Sequence, residues 1–245
     1  MFSDKDIEEA IEIYKKNNQQ EGLLIKPFDK KYLTPVGYDL RVGIEGFSWN
    51  KKHVINIKKE GKIHIEPNDT VVIRSFESVN LSNKVSATVH SIVSKIITRG
   101  LSDISTTIDP GWEGKLLISV HNHRDTSTEL KFKESLCTIC FYTLNSPSQI
   151  NRGTSNDRDD LWEQLLEISR VEQQKIEYEK IIEKNRIDKI NNFRTQLSIV
   201  LILGVLVFGI VVSYINPTVG ASIAAFLAVI AFIVYDRFLK PISRP

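Results

Sequence analysis

The sequence is poor in cysteine, with only Cys137 and Cys140 among its 245 residues. Two thiols cannot build a disulfide-stapled secreted scaffold, and a structural zinc ion usually needs four ligands. The pair lies in "SLCTICFY", which alternates like a strand and therefore directs the two side chains to opposite faces. We interpret both as ordinary buried strand residues and expect no metal ion held by the protein itself.

A strong excess of charge is also missing, since the net charge is +2. This balance gives no electrostatic reason to expect a nucleic-acid partner. No N-terminal signal peptide is recognisable either. The segment "MFSDKDIEEAIEIYKK" instead combines a capping Ser3 with acidic residues in the first helical turn. It predicts an amphipathic surface helix, whose apolar face is formed by Ile7, Ala10, Ile11 and Tyr14.

Charge is absent altogether from two apolar runs in the last fifth of the sequence, Leu197–Ile215 and 221–235. A helix over the first run would be about 28 Å long, close to the hydrocarbon thickness of a bilayer. The turn signal "NPTVG" separates the runs, so we expect residues 197–239 to form a transmembrane helical hairpin. Basic residues flank the hairpin but not its turn, which places both termini in the cytoplasm, beneath a bacterial inner membrane. They are Lys184, Arg186, Lys189, Arg194, Arg237, Lys240 and Arg244.

Glycine and proline are missing from residues 157–196, which are rich in charge. This composition predicts a long helical stalk. Its apolar residues recur at helical spacing, but the heptad pattern is irregular. Two interpretations stay open: a stalk that self-associates loosely or packs only near Leu161–Val171, and a solvated rigid spacer.

Residues 1–150 are expected to form the one globular domain. Between Leu23 and Leu144, short alternating runs rich in β-branched residues are separated by turn signals. This pattern predicts a compact, mainly β barrel or double sheet that follows the N-terminal helix. The runs are "GLLIKPF", "GYDLRVG", "KIHIEP", "TVVIRSFESVNL", "KVSATVHSIVSK", "KLLISVHN", "ELKFK" and "SLCTICFYTL".

Several of these motifs occur in the order and spacing of one known superfamily. "LTPVGYDLRVG", "SFESVNLSNKVSATVHS", "RGLSDISTTIDPGWEGKLLISVHN" and "FKESLCTICFYTL" resemble the dCTP deaminase and dUTPase superfamily, and "FSDKDIEEAI" with "GLLIKPFD" resembles its deaminase branch. The resemblance covers about residues 2–145. It implies a dUTPase-like distorted jelly-roll barrel, a homotrimer with deoxyribonucleoside triphosphate sites at subunit interfaces, and Mg²⁺ bound through the nucleotide phosphates.

The segment "IDPGWEG" resembles the central active-site motif of this superfamily. The resemblance assigns Asp109 as the catalytic carboxylate that orients water and contacts the deoxyribose. It assigns Trp112 as an aromatic residue beside the sugar or base. Without the resemblance, Asp109 would be read as a turn-forming residue ahead of Pro110.

The chain departs from the superfamily at several catalytic positions. The deaminase Glu on the following strand corresponds to Ser119, which cannot transfer protons as a carboxylate does. The Arg-Ser pair that binds phosphate corresponds to His90 and Ser91, and the usual Gln of the last motif corresponds to Thr138. The resemblance implies nucleotide-binding roles for His90, Ser91 and Trp112. Lys95 could replace a second cation, and Arg99 lies nearby in the unusual insertion "IITRG", so we add both to the predicted nucleotide-binding set.

Three functions remain open at this point. We favour a membrane-anchored sensor and effector that binds a deoxynucleotide with a degraded catalytic set, for example in bacterial antiviral defence. A working hydrolase that converts dUTP to dUMP and pyrophosphate is the second. A dCTP deaminase that produces dUTP is the third, and Ser119 argues against it.

Overall fold

The computed structural model describes residues 1–17, 20–150, 156–215 and 217–240. The chain divides into two compact units, Met1–Gln173 and Gln174–Pro245. The described part of the first unit contains twelve strands and the described part of the second is helical. The segment "NRGTSN" (Asn151–Asn156), a weak candidate from the sequence for the glycine-rich C-terminal arm of dUTPases, lies almost wholly outside the described residues.

The first unit opens with helix α1 (Asp4–Lys16), which begins after Ser3 as predicted. The Ser3 hydroxyl accepts a hydrogen bond from the Asp6 N–H at 3.2 Å, and the Asp6 carboxylate accepts one from the Ser3 N–H at 2.8 Å. This reciprocal pair is a capping box, which satisfies two otherwise unpaired backbone donors. The four predicted apolar residues of the helix are all buried.

The remaining elements of the first unit are mostly β. The strands are β1 (Leu23–Lys26), β2 (Leu33–Thr34), β3 (Gly37–Ser48), β4 (His53–Asn56), β5 (Lys62–Ile65), β6 (Thr70–Leu81), β7 (Val85–Ser91), β8 (Leu101–Asp103), β9 (Thr107–Ile108), β10 (Glu113–Asn122), β11 (Thr128–Lys131) and β12 (Ser135–Thr143). Short helices α2 (Ile57–Glu60) and α3 (Val93–Arg99) interrupt them. Every strand in the predicted set is present, whereas β2, β4, β8 and β9 were not anticipated.

The strands form one large curled sheet in the order β8-β10-β6-β3-β12-β7-β9, with β1 added to β6 and with β2 and β4 added to β3. Strands β5 and β11 form a separate pair. All of these pairings are antiparallel, and strict alternation along β6 and β10 directs one face of each strand into the core. The outcome is the mostly-β curled architecture that the resemblance implies. Both cysteines are free and buried on β12, as predicted, and burial raises the pKa of the Cys137 thiol.

Helix α4 (Asp159–Ile215) is continuous over 57 residues, so no break separates the predicted stalk from the first predicted span. Its first turns pack against the sheet. Trp162 and Leu165 are buried against Phe47 in a small cluster distinct from the main core. Ser169 extends this contact, because its hydroxyl accepts a hydrogen bond from the Val54 N–H at 3.2 Å. This docking lies in the region where the sequence predicted local packing.

A close backbone approach holds the segment before α4 against strand β10. The Lys115 N–H donates to the Asp157 carboxylate, and the Arg74 guanidinium contacts Asp159 at 2.9 Å. A Cβ at Gly114 would lie 2.8 Å from the Asp157 Cα, and the φ of Gly114 is +122°, a value that side-chain-bearing residues rarely adopt. Glycine is therefore required here both for space and for backbone conformation.

In the second unit, the later part of α4 is followed by α5 (Pro217–Val234) and a π-helical turn (Tyr235–Leu239). The run that was predicted as a second span forms α5. Among the described helices, one, Asp159–Ile215, is long and apolar enough to cross a membrane. Many of its apolar side chains after residue 197 are exposed, including Leu203, Val207, Ile210 and Tyr214.

The Gly114 contact gives a stability test. We expect Gly114→Ala to release the start of α4, because the new methyl group would overlap the Asp157 backbone. Hydrogen exchange of the amides of residues 160–173 should accelerate at least tenfold, corresponding to about 1.4 kcal/mol or more of lost docking free energy.

Gly61→Ala is the matched control for this test. Gly61 also has a positive φ, +77°, but nothing lies within 4 Å of the position of its Cβ. It should lower overall stability by about 1 kcal/mol without changing exchange in α4. Equal exchange of these helix amides in both variants would contradict the assigned role of Gly114.

Candidate functional site

The motif "DPGW" forms a tight corner between β9 and β10. The Trp112 N–H donates to the Asp109 carbonyl at 3.3 Å, and Gly111 has a φ of +78°. Pro110 at the second position and Gly111 at the third are the residues that a type II turn requires. The Gly111 N–H also donates to the Ser82 carbonyl at 3.2 Å, which ties the corner to the turn between β6 and β7.

Asp109 and Trp112 both line a cleft of about 290 Å³, which we call the Asp109 cleft. Its volume is at the lower end of the range of small-molecule sites. Asp109 is exposed, whereas Trp112 is half-buried and its indole N–H donates to the Gly114 carbonyl at 3.1 Å. The remaining lining residues are Thr106, Thr107, Ile108, Leu116, Leu117, Arg158 and Leu161. The structure thus brings two of the six predicted site residues to one concave surface.

The other four predicted residues lie at the end of β7 and on α3. Ser91 is half-buried, and its hydroxyl donates to the Asp103 carboxylate. The His90 ring is exposed, and its Nε2 lies 2.7 Å from the Thr88 hydroxyl. Both predicted phosphate-binding residues of this strand therefore already have hydrogen-bond partners within the chain.

Lys95 and Arg99 converge on the carboxylate of Glu134. Lys95 forms an ion pair with it, and the Arg99 guanidinium contacts the same oxygen at 2.7 Å. The Lys131 N–H donates to its other oxygen at 3.0 Å. Burial raises the pKa of Glu134, but these hydrogen bonds and the two cations outweigh burial and hold the pKa below its usual range. An incoming phosphate would have to compete with this carboxylate for both cations.

Beside this cluster, Thr138 donates a hydrogen bond to Asp39 at 2.6 Å. Burial raises the pKa of Asp39, while the Thr138 hydroxyl and the charge of Lys95 lower it to a smaller extent. Asp39 thus links β3 to its neighbouring strand β12.

The two groups of predicted residues are separated within one chain. Ile108, the residue before Asp109, pairs with Ala87 of β7. Ser91 is four residues further along β7, and the chain runs in the opposite direction from Ile108 to Asp109, so Asp109 and Ser91 are separated by roughly 16 Å at the usual rise per strand residue. One chain alone therefore does not bring Asp109 and Ser91 around the same small ligand.

Ser119, the position of the deaminase Glu, lies on β10 opposite Val72. It is half-buried, and its carbonyl accepts a hydrogen bond from the Ile104 N–H at 3.3 Å. Val72 and Leu117 on the same part of the sheet pack against the first turns of α4. The hydroxyl at position 119 cannot exchange protons near neutral pH as a carboxylate could.

Among the described residues, no group of three or more His, Cys, Asp or Glu side chains could hold a metal ion. The described side chains therefore do not provide a set of ligands that fits a divalent ion held by the protein alone. Mg²⁺ in this chain would therefore have to be supplied together with nucleotide phosphates.

Sequence reasoning missed Glu134, Asp103, Arg158 and Leu161. Glu134 is one of several acids in a charged turn, and nothing in the sequence relates it to α3. Arg158 and Leu161 belong to the predicted stalk and lie 49 and 52 residues after Asp109. Only the folded arrangement places them in the same cleft.

The sequence model of the dCTP deaminase-like family matches residues 2–144. The chain belongs to the dCTP deaminase-like family. Among its relatives, it is 37% identical over 128 residues to the dCTP deaminase of Pyrococcus horikoshii, which covers 52% of this chain and 80% of the relative. It is 28% identical over 170 residues to a dUMP-forming dCTP deaminase of Methanothermobacter thermautotrophicus, which covers 61% of this chain and 82% of the relative.

Two solved structures show lower similarity. The 2'-deoxycytidine 5'-triphosphate deaminase of Agrobacterium tumefaciens has a TM-score of 0.45 and 16% identity, covering 57% of this chain and 47% of that chain. The dUTPase from phage phi11 of S. aureus has a TM-score of 0.36 and 13% identity, covering 54% of this chain and 96% of that chain. The dCTP deaminase-like segment ends at Leu144, before Arg158 and Leu161.

The Glu134 cluster predicts a dependence of stability on pH. Glu134→Gln should lower the free energy of unfolding by roughly 1–2 kcal/mol at pH 7, because two partly buried cations lose their carboxylate. A carboxyl group whose pKa is depressed in the folded state stabilises above its unfolded pKa, 4.5, and loses this effect as the pH falls. The difference between wild type and variant should therefore shrink when urea unfolding is repeated below pH 4.

Glu129→Gln is the control, because its carboxylate forms a more exposed ion pair with Lys62. Its effect should be clearly smaller than that of Glu134→Gln at pH 7, because solvent screens an exposed ion pair. A Glu134→Gln effect that is equally small, or that grows in acid, would contradict the cluster as described.

Proposed function

We propose that this chain is a membrane-anchored deoxynucleotide-binding protein that senses its ligand and does not deaminate it. The observation that carries this proposal is Ser119 at the position of the deaminase carboxylate, on the strand that leaves the Asp109 corner. The rest of the domain retains the family fold. Loss of one catalytic group from a preserved scaffold is expected where binding is still required and turnover is not.

The ligand that best fits the Asp109 cleft is a pyrimidine deoxynucleotide. The relatives are dCTP deaminases, and the cleft offers one exposed carboxylate and one aromatic ring in a lining that combines polar and apolar side chains. The carboxylate would accept a hydrogen bond from the sugar hydroxyl, and the ring of Trp112 would pack against the sugar. Mg²⁺ would accompany the phosphates.

A homotrimer would complete the site. Because Asp109 and Ser91 are separated by roughly 16 Å along one chain, the phosphate-binding group of His90, Ser91, Lys95 and Arg99 would come from a neighbouring subunit. The engagement of Lys95 and Arg99 by Glu134 supports binding that depends on displacing an internal partner. Such an exchange of partners is a means by which a ligand can favour one of two conformations.

A hydrolase is the second candidate, and the retained Asp109 favours it. A carboxylate in a cleft can accept a proton from water that attacks a phosphoanhydride, and Ser91, Lys95 and Arg99 would stabilise the leaving phosphates. The products of dUTP would be dUMP and pyrophosphate. Deamination of dCTP is the third candidate, and it lacks the carboxylate at position 119.

Membrane anchoring is the remaining part of the proposal. Helix α4 is long and apolar enough to cross a bilayer, and its apolar side chains after residue 197 are exposed over a segment without charge. Exposed apolar surface of this extent is costly in water. Together with α5 it would form a hairpin with both ends in the cytoplasm of a bacterium. Coupling of nucleotide binding to these helices would make the protein an effector, as in antiviral defence.

The chemistry can be tested on the full chain in detergent. Incubation with dCTP, dUTP or dTTP and Mg²⁺ should raise the melting temperature and yield no deaminated product by chromatography. Asp109→Asn should weaken the stabilisation, corresponding to at least tenfold weaker binding, because a hydrogen bond from the sugar to a charged acceptor is lost.

Asp125→Asn, an exposed carboxylate outside the Asp109 cleft, serves as the control and should bind as wild type does. Release of dUMP and pyrophosphate that disappears in Asp109→Asn would establish the hydrolase instead. Formation of dUTP from dCTP would overturn the interpretation of Ser119.

Membrane anchoring predicts that the full chain stays in the membrane fraction after an alkaline carbonate wash. Leu203→Lys combined with Leu206→Lys should release it, because each charge near the centre of a span costs about 2.5–3.5 kcal/mol. Tyr178→Lys with Ile182→Lys, two exposed positions in the charged part of α4, should leave it membrane-bound. Recovery of the wild type in the soluble fraction would contradict anchoring.

A further inference from the structure

The wall of the Asp109 cleft is not formed by the family domain alone. Arg158, in the short helical turn Asn156–Arg158 before α4, and Leu161, in the first turn of α4, line it beside Asp109 and Trp112. Both residues follow the segment that the dCTP deaminase-like family covers, which ends at residue 144. The cleft is therefore a composite of the family fold and the added helix.

Leu161 remains exposed although its neighbours are packed. Trp162 and Leu165 are 3% and 9% exposed because they face the sheet, whereas Leu161 is 38% exposed. Since the first turns of α4 are docked, this exposure does not result from a loose helix. A ligand in the Asp109 cleft would cover the Leu161 side chain and remove apolar surface from water.

Arg158 is held in a defined orientation next to Leu161. Its Nε and one terminal nitrogen donate to the two oxygens of Asp160, both at 2.9 Å. A forked pair of this kind restrains a long side chain before any ligand arrives. The guanidinium retains further N–H donors, which could contact an oxygen of a base or a phosphate.

Contacts of the residues immediately before and after Arg158 fix the position of this segment. Asp157 bonds to the Lys115 N–H across Gly114, and Asp159 contacts Arg74. Arg74 also lies over the Trp162 ring, with 5.3 Å between its guanidinium carbon and the ring centroid. The start of α4 is therefore anchored to β6 and to β10, the strand that begins directly after the Asp109 corner.

We infer that Leu161 and Arg158 are nucleotide-binding residues of the Asp109 cleft, with Leu161 packing on the deoxynucleoside and Arg158 donating to one of its oxygens. This inference rests on the proposed function. It makes the affinity for nucleotide depend on the docked position of α4, and by thermodynamic reciprocity nucleotide stabilises that docking by the same free energy.

The test is calorimetric titration of the full chain in detergent with dCTP and with dUTP, each with Mg²⁺. Leu161→Ala should raise the Kd of the bound nucleotide roughly five- to thirty-fold, as expected for loss of a partly buried leucine contact. Leu161→Met should bind within about twofold of wild type, because it keeps the apolar volume. Arg158→Ala should raise the Kd by a similar factor, roughly five- to thirty-fold.

Matched controls lie on the same helix and away from the cleft. Val171→Ala and Arg170→Ala change exposed residues of the docked segment and should leave the Kd unchanged. Melting temperatures of all variants identify any that fail to fold. Nucleotide should also slow hydrogen exchange of residues 160–173 in the wild type, and it should do so less in Leu161→Ala.

The outcomes distinguish a failure of this inference from a failure of the proposed function. If the wild type binds nucleotide and folded Leu161→Ala and Arg158→Ala bind it equally well, this inference is wrong and the proposed function stands. If the wild type binds neither nucleotide, the proposed function is wrong and the inference falls with it. Weakened binding in Val171→Ala and Arg170→Ala as well would show that the docking of α4 is lost in general. It would overturn the proposed direct contact of Leu161 and Arg158 with the nucleotide.

Discussion

The arrangement of the candidate site depends on the contact between Gly114 and Asp157. Strand β10 can accept the segment before α4 only because residue 114 has no side chain and a backbone conformation suited to glycine. Three residues before Gly114 lies Gly111, in the turn that carries Asp109 and Trp112, and two residues after Asp157 begins the 57-residue helix α4. Without the contact, the cleft would lose one of its walls.

Local patterns predicted most of the fold. The β-branched runs gave the long strands β3, β6, β7, β10 and β12, because alternation along a half-buried strand is visible in any single segment. Ser3 predicted the N-cap of α1, and the helical spacing of Ile7, Ala10, Ile11 and Tyr14 predicted its buried face. The short strands β8 and β9 were not predicted, because two or three residues are too few to show an alternating pattern. They form by pairing with the edges of β10 and β7, respectively.

The candidate site was predictable only in part. Asp109 and Trp112 were identified through the resemblance of "IDPGWEG" to the central motif of the superfamily, and the structure places both in the Asp109 cleft. The approach of Glu134 to Lys95 and Arg99 joins residues 35–39 positions apart, and no local pattern encodes such a contact. The stalk was read as a spacer or a loosely packing helix, because a residue such as Leu161 looks the same in sequence whether it faces solvent or a ligand.

The partial neutralisation of α3 has a consequence for the ionic conditions under which a ligand could bind. Lys95, Arg99 and Glu134 together carry one net positive charge. A phosphoryl chain with three or four negative charges would exceed what this cluster offsets, so cations from the surrounding solution would have to accompany it. Occupancy would then report the supply of cations in the surrounding solution as well as the concentration of nucleotide.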